Sequence, residues 1–249
     1  MSARGSVAIV GAGPGDLGLI TVRGLDLLRR ADVVVYDRLV NPKLLDEAPP
    51  EALCVFVGKA CGAHALPQGE INALLIAEAR RGRRVVRLKG GDAFVFGRGG
   101  EEALALAEAG VAFEIVPGVT SAVAVPAAAG IPLTHRGVAS SFAVVTGHQG
   151  AGSGTPRVDW GRLAGAVDTL VILMGLANLQ EITSELIAHG RDPGTPAALI
   201  ERGTTEAQRT VTATLGTLAD AAAAAGLEAP VVAVIGDVVS LRDRLADLA

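Results

Sequence analysis

The sequence predicts an α/β fold in two domains, each built on a mainly parallel or mixed sheet. Short β-branched runs alternate with helical patterns, glycines cluster where the strands end, and 50% of the residues are apolar. In the first half, Val7–Val10, Val33–Tyr36, Leu53–Val57, Val85–Leu88 and Phe113–Val116 read as buried strands. A helix is expected over Thr21–Arg30, with Thr21 capping its first turn. Gln68–Arg81 carries Ile71, Leu74 and Leu75 at helical spacing and stops at Gly82. Glu101–Ala109 repeats that plan and stops at Gly110. Strand and helix in this rhythm imply a largely parallel sheet covered on both faces.

Pro117-Gly118 interrupts the pattern, and an Ala-rich helix follows over about Val119–Ala129. A second α/β set has strands at Phe142–Thr146, Thr169–Met174, Ala197–Glu201, Arg209–Leu215 and Val231–Ile235. Asn178 is placed to cap a helix that Gly190 closes, and Thr217–Ala225 and Leu241–Leu248 supply two more. Gly147–Pro156 is Gly/Ser-rich and reads as a mobile loop. Charge divides at the same point. Residues 1–116 hold 14 basic and 14 acidic groups, and residues 117–249 hold 8 and 12. The expected domains are therefore 1–116 and 117–249.

Composition excludes several classes of function. Lys+Arg number 22 against Asp+Glu 26, a formal net charge of −4, whereas a general nucleic-acid binder carries a basic surplus. No apolar run reaches the roughly 18 residues of a membrane helix, and the nearest, Ala122–Ala129, contains Pro126. Met1–Gly5 leads straight into a strand with no visible signal peptide, and the two cysteines, Cys54 and Cys61, suit a reducing compartment. A cytoplasmic location is expected. Cys54, Cys61 and His64 fit no common zinc spacing, and His135 and His148 lie far apart in sequence, so no metal is expected.

Three glycine-rich or charged loops follow strands. Gly11-Ala12-Gly13-Pro14-Gly15-Asp16 departs from the dinucleotide fingerprint, because Asp16 stands where glycine or alanine is needed and would repel a pyrophosphate. Bare backbone there can let a ligand lie over the strand ends. Lys89–Glu102 contains five glycines, too many for an ordinary turn, and reads as a binding loop. In it Gly90 and Gly91 expose backbone, Asp92 offers a carboxylate for an ammonium or ribose hydroxyls, and Phe94 and Phe96 read as core anchors. Tyr36-Asp37-Arg38 and Gly58-Lys59 sit at neighbouring strand ends, where an acid and a base can share one cleft or form a surface ion pair. Arg80, Arg81, Arg83 and Arg84 read as a solvated helix end. Phosphate-loop and nucleophile-elbow patterns are absent.

Taken together, these motifs resemble the tetrapyrrole (corrin/porphyrin) methylases, and within them the uroporphyrinogen branch. The resemblance spans essentially the whole chain. It runs through Val10–Asp16, Val35–Val40, Gly58-Lys59, Pro67-Gln68 and the Gly90–Glu102 loop, then Pro117–Ala122, Ile131–Gly137, Val145–His148, Met174-Gly175 and Glu201–Thr204. Tyr36–Val40, Phe96–Glu102 and Leu133–Gly137 carry the branch-specific likeness. One departure is Ala93, where the family usually has proline after Gly-Gly-Asp.

The resemblance implies a class III methyltransferase fold that binds S-adenosyl-L-methionine (SAM) between its two domains and releases S-adenosyl-L-homocysteine. It implies methylation of uroporphyrinogen III at C2 and then C7 to precorrin-2, feeding sirohaem or cobalamin synthesis, by a homodimer. Matched by motif, Asp37 and Lys59 are the proton acceptor and donor. Pro14, Gly90, Gly91, Asp92, Val95, Thr120, Ser121, Met174 and Gly203 are implied to line the SAM site. A later precorrin methyltransferase and a non-catalytic tetrapyrrole- or SAM-binding regulator are the alternatives. The chemistry suits the residues, because a pyrrole carbon attacks the sulfonium methyl directly and the protein need only align the reactants and move a proton. The substrate carries eight carboxylates, for which Arg38, Lys59, Arg98 and Arg136 are the candidate partners. Since the whole chain is acidic, that attraction must come from a local basic cleft.

Overall fold

The structure is a computed structural model that describes residues 5–58, 66–148 and 158–246. The chain divides into two compact units, Met1–Thr120 and Ser121–Ala249. No helix among the described residues is long and apolar enough to cross a membrane.

The first unit runs β1 (Ser6–Gly11), α1 (Val22–Leu28), β2 (Val33–Tyr36), β3 (Leu53–Phe56), α2 (Gln68–Arg80), β4 (Arg84–Lys89), α3 (Gly99–Glu108) and β5 (Ala112–Val116). All five strands are parallel, in the order β3-β2-β4-β1-β5. Period-2 alternation divides the side chains between two cores. Val7, Ile9, Val33, Val35 and Val85 pack with Ile71, Leu75 and Ala79 of α2 and Leu106 of α3. Ala8, Val10, Val34, Val86 and Leu88 pack on the other face with Leu28 of α1 and with Val40 and Leu44. The connections from β2 and from β4, neighbours in the sheet, leave in opposite directions. That is where open α/β sheets form a crevice at their carboxyl ends. Thr21 caps α1 as expected, its hydroxyl accepting from Gly24 N–H at 3.1 Å.

Two readings of this unit need correction. β3 is an edge strand with Leu53, Cys54 and Phe56 exposed, because it has a neighbour on one side only. The arginines after α2 are not merely solvated. Arg81 and Arg83 both bind the buried carboxylate of Glu78, and Arg84 binds Asp32 at 2.6 Å.

The second unit runs α4 (Ser121–Ala128), β6 (Phe142–Thr146), α5 (Trp160–Ala166), β7 (Thr169–Leu173), α6 (Leu179–Ala188), β8 (Pro196–Glu201), β9 (Arg209–Thr214), α7 (Leu218–Ala224), β10 (Val231–Ile235) and α8 (Arg242–Ala246). Its sheet is mixed, in the order β6-β7-β10-β8-β9, with β6 and β7 parallel and β10 antiparallel to both β7 and β8. The carboxyl ends of β6, β7 and β8 thus lie at one end of the sheet. α4 packs Ala122 and Val125 against Val171, Leu173 and Ile200. Asn178 occupies the cap position of α6 but makes no side-chain cap bond. Its amide instead donates to the Gly147 carbonyl at 2.8 Å. Most of the expected Gly147–Pro156 loop lies outside the described residues.

Candidate active site

In the first unit the predicted glycine loops interlock. The loop after β1 and the loop after β4 form a short antiparallel bridge, with Gly13 N–H donating to Gly91 O at 3.1 Å and Gly91 N–H to Gly13 O at 2.7 Å. The loop after β5 closes on the same point. A Cβ on Gly118 would lie 2.3 Å from Gly91 O, and one on Gly11 would lie 2.6 Å from Gly118 Cα. Only bare backbone can pack this closely, so the rim of the sheet here is main chain rather than side chain. Asp92 holds the arrangement. One carboxylate oxygen accepts from Phe94 and Val95 N–H, and the other accepts from Gly118 N–H at 2.9 Å. Pro14, Gly90, Gly91, Asp92 and Thr120 are half-buried around this rim, and Val95 is exposed.

The same Asp92 turn overturns one expectation. Phe94 and Phe96 are 56% and 44% exposed and do not anchor the core. Asp92 lifts the segment off the sheet end, and left-handed backbone at Phe96 (φ 52°) and Arg98 (φ 59°) carries it over the surface into α3. Arg98 is exposed at the start of α3 and forms a two-bond pair with Glu101 at 2.7–2.8 Å, which holds the Glu101 carboxyl below its ordinary value.

Beneath the β2/β4 crevice lies a charged cluster whose members no loop motif of the sequence joins. Arg87 is paired in register with Val35 on β2 and Ile9 on β1, so alternation turns it and Lys89 toward α2 and α3. Both are buried. The fully buried Glu102 of α3 accepts through one oxygen from Arg87 Nε at 3.0 Å, Lys89 Nζ at 3.2 Å and Gln68 Nε2 at 3.2 Å. Arg87 Nη2 lies 3.5 Å from the Asp37 carboxylate, which is half-buried and also accepts from Leu39 N–H at 3.2 Å. Burial, and then the Arg87 charge, hold the Lys89 ammonium below the usual lysine range, against the pull of Glu102 and Asp37. Asp37 therefore pairs inward with Arg87, while the Lys59 with which it was expected to share a cleft or a surface pair lies outside the described residues. Arg38 is exposed. Cys61 and His64 also lie outside the described residues.

In the second unit, Ser121 opens α4 and Met174 follows β7 with φ 56° and half its surface exposed. Gly203 follows β8 between Arg202 (φ 46°) and Thr204 (φ 65°), and a Cβ on it would meet Val125 of α4 at 2.3 Å. Left-handed backbone at a β-branched threonine is costly and concentrates at functional loops. Met174 and Arg202–Thr204 share the sheet end that carries Gly147. Arg136 is exposed in the segment that the His135–Ala139 bridge closes.

A parallel α/β unit with glycine-lined strand ends over a buried ion cluster, joined to a mixed-sheet α/β unit, defines a class of two-unit, ligand-binding α/β protein. Residues 6–219 match the family model of the tetrapyrrole (corrin/porphyrin) methylases, and the chain belongs to that family. It is 52% identical over 97% of its length to siroheme synthase 2 of Aeromonas hydrophila, of which the match covers 51%. The chain thus spans about half the length of the curated relatives it matches. Among solved structures, it is similar to the uroporphyrin-III C-methyl transferase of Thermus thermophilus complexed with S-adenosylhomocysteine. That similarity has a TM-score of 0.81 and 44% identity over 95% of this chain and 94% of that one. A cobalt precorrin-4 methyltransferase is similar at TM-score 0.83 and 30% identity, over 94% and 95% of the two chains.

Proposed function

We propose that the protein is a SAM-dependent C-methyltransferase that converts uroporphyrinogen III to precorrin-2 by methylation at C2 and then C7. The observation that carries this reading is the likeness, over nearly the whole chain, to the Thermus enzyme crystallised with S-adenosylhomocysteine. The residues fit such a ligand. The rim at Gly11, Gly13 and Gly118 is half-buried or buried main chain packed too tightly for any Cβ, a surface that a flat adenosyl group can approach. When bound, SAM supplies an electrophilic methyl to a nucleophilic pyrrole carbon and leaves as S-adenosylhomocysteine.

This chain's part is alignment and proton transfer. Pro14, Gly90, Gly91, Asp92, Val95, Thr120, Ser121, Met174 and Gly203 are the residues assigned to holding the cosubstrate. Asp37, held by Leu39 N–H and facing Arg87, accepts the proton released after methylation, with Lys59 as the donor. Exposed Arg38, Arg98 and Arg136 meet substrate carboxylates. The enzyme works as a homodimer in the cytoplasm, a reading supported by the family resemblance and the cysteine usage. Sedimentation of the purified protein tests the dimer.

Incubation with uroporphyrinogen III and SAM is expected to yield a tetrapyrrole heavier by two methyl groups, read by mass spectrometry. The likeness to the cobalt precorrin-4 enzyme favours a second reading, a later precorrin methyltransferase. Turnover of precorrin-2 or precorrin-4, with none of uroporphyrinogen III, would establish it. SAM binding without turnover of any of the three would make the protein a regulator.

A further inference from the structure

We propose that Arg87 is a positioning residue that aims the Asp37 carboxylate into the β2/β4 crevice, and that Glu102, Lys89 and Gln68 fix it from behind. The inference rests on the reading that Asp37 takes a proton in the reaction.

An arginine in the middle of a central parallel strand is costly to bury, and apolar residues fill such positions as well or better. Here every direction of its planar fork is used. Nε donates to Glu102, Nη1 donates to the Val35 and Leu88 carbonyls at 3.3 and 3.2 Å, and Nη2 faces Asp37. Three contacts hold the guanidinium to the β2–β4 ladder and to α3, and the fourth points at Asp37, the partly exposed charged member of the cluster. The Val35 carbonyl lies two residues before Asp37, so the guanidinium also fixes the strand end from which Asp37 projects.

The groups facing this cluster are Lys89 from β4, Glu102 from α3, Gln68 from α2 and Asp37 beyond β2. With Arg87 counted, two cations balance two anions. Lys89 and Gln68 share the Glu102 oxygen that Arg87 uses, so Glu102 is pinned from three directions. The sequence shows the signal directly, as Val85-Val86-Arg87-Leu88-Lys89 puts charges at two positions that alternation buries. A purely structural cluster would have no need of a member at the crevice mouth.

The test compares wild type with Arg87→Lys, which keeps the charge but cannot reach in three directions, and with Glu102→Gln. Crystal structures should show one Asp37 side-chain position in the wild type and a displaced or divided one in Arg87→Lys. Turnover per S-adenosylhomocysteine-binding site should fall about 10²-fold in Arg87→Lys, the scale of a misplaced catalytic group. KM for SAM and for uroporphyrinogen III should stay within about threefold, since only alignment is lost. Glu102→Gln should show the same split more weakly. An unmoved Asp37 in Arg87→Lys would overturn the inference. So would a lowered melting temperature with turnover per binding site unchanged, the mark of a structural role. If the wild type itself methylates nothing, the functional reading fails, and the position of Asp37 in the variant structure decides the inference alone.

Discussion

Each unit buries an arginine, and the two are used differently. Arg87 in the first unit lies under the carboxyl ends of parallel strands and divides its donors between two carbonyls, a buried glutamate and a half-exposed aspartate. Arg191 in the second gives every hydrogen bond to main-chain carbonyls, those of Ala164, Val167, Asp168 and Ile235, at 2.8–3.4 Å. These carbonyls surround the start of β7 and the end of β10, opposite the sheet end that carries Met174 and Gly203. Arg191 thus ties together main-chain carbonyls where α5, β7 and β10 converge. Burial alone does not distinguish a functional arginine from a structural one. Where its donors end is the difference between the two.

The largest effect expected from this contrast falls on Asp37. Asp37→Ala should lower kcat by about 10²- to 10⁴-fold, the usual worth of a positioned acid–base group. Calorimetric affinity for S-adenosylhomocysteine should be unchanged, because Asp37 belongs to the crevice and not to the glycine rim. An equal loss in both measurements would remove Asp37 from the chemistry and leave it a binding residue.

Arg191→Met should act in the opposite sense. Removing these four bonds should lower the urea unfolding free energy by about 3 kcal/mol, the order expected when buried polar groups lose a partner. Turnover per folded site should not change. A variant that kept its stability but lost turnover would place the second unit's buried arginine in the function and erase the distinction.

The two clusters also differ in how the sequence announces them. The strands were readable because Val, Ile and Leu alternate or run between glycines, and all ten lie within two residues of the expected ends. The glycine rim was readable as well, since Gly90-Gly91 and Gly11–Gly15 follow strands directly. The Arg87–Glu102–Lys89 cluster was not assembled, because its members lie 13 and 15 residues apart on different elements. Strand alternation turns Arg87 and Lys89 to one face, and the packing of α3 on that face brings Glu102 to them. Phe94 and Phe96 misled because aromatic residues usually bury, and the Asp92 turn that lifts them is set by three backbone N–H groups that no residue pattern reports.

A smaller effect, expressed only in acid, is expected at Glu201. It is buried at the β8–β9 pair, takes Arg209 Nε at 2.5 Å and accepts from Glu228 N–H at 2.7 Å. The Arg209 hydrogen bond, ahead of the backbone bond, holds its carboxyl below the ordinary glutamate value of 4.5. A depressed folded-state value gives stability that is complete above 4.5 and is lost as pH falls through that folded-state value. Wild-type unfolding free energy should therefore decline with acidity in that window, and Glu201→Gln should flatten the decline. An identical acid slope in the variant would show that other carboxylates set it.

The smallest contrast lies between two residues in equivalent helix positions. Thr21 and Asn178 both stand where a helix N-cap stands, and both residue types are good caps. Thr21 accepts from Gly24 N–H, so Thr21→Ala should cost about 1 kcal/mol, and Thr21→Asp, another good cap, should cost little. Asn178 instead donates its amide to the Gly147 carbonyl at the end of β6. A carboxylate cannot make that bond and would face the carbonyl oxygen with like charge. Asn178→Asp should therefore destabilise the protein at least as much as Asn178→Ala, although a cap treats Asn and Asp alike. Chemical denaturation of the four variants reads the difference, with hydrogen exchange of the β6 amides reporting whether the strand end loosens. If Asn178→Asp matched wild type, Asn178 would be an ordinary cap, and the tie between α6 and the loop after β6 would carry no stability.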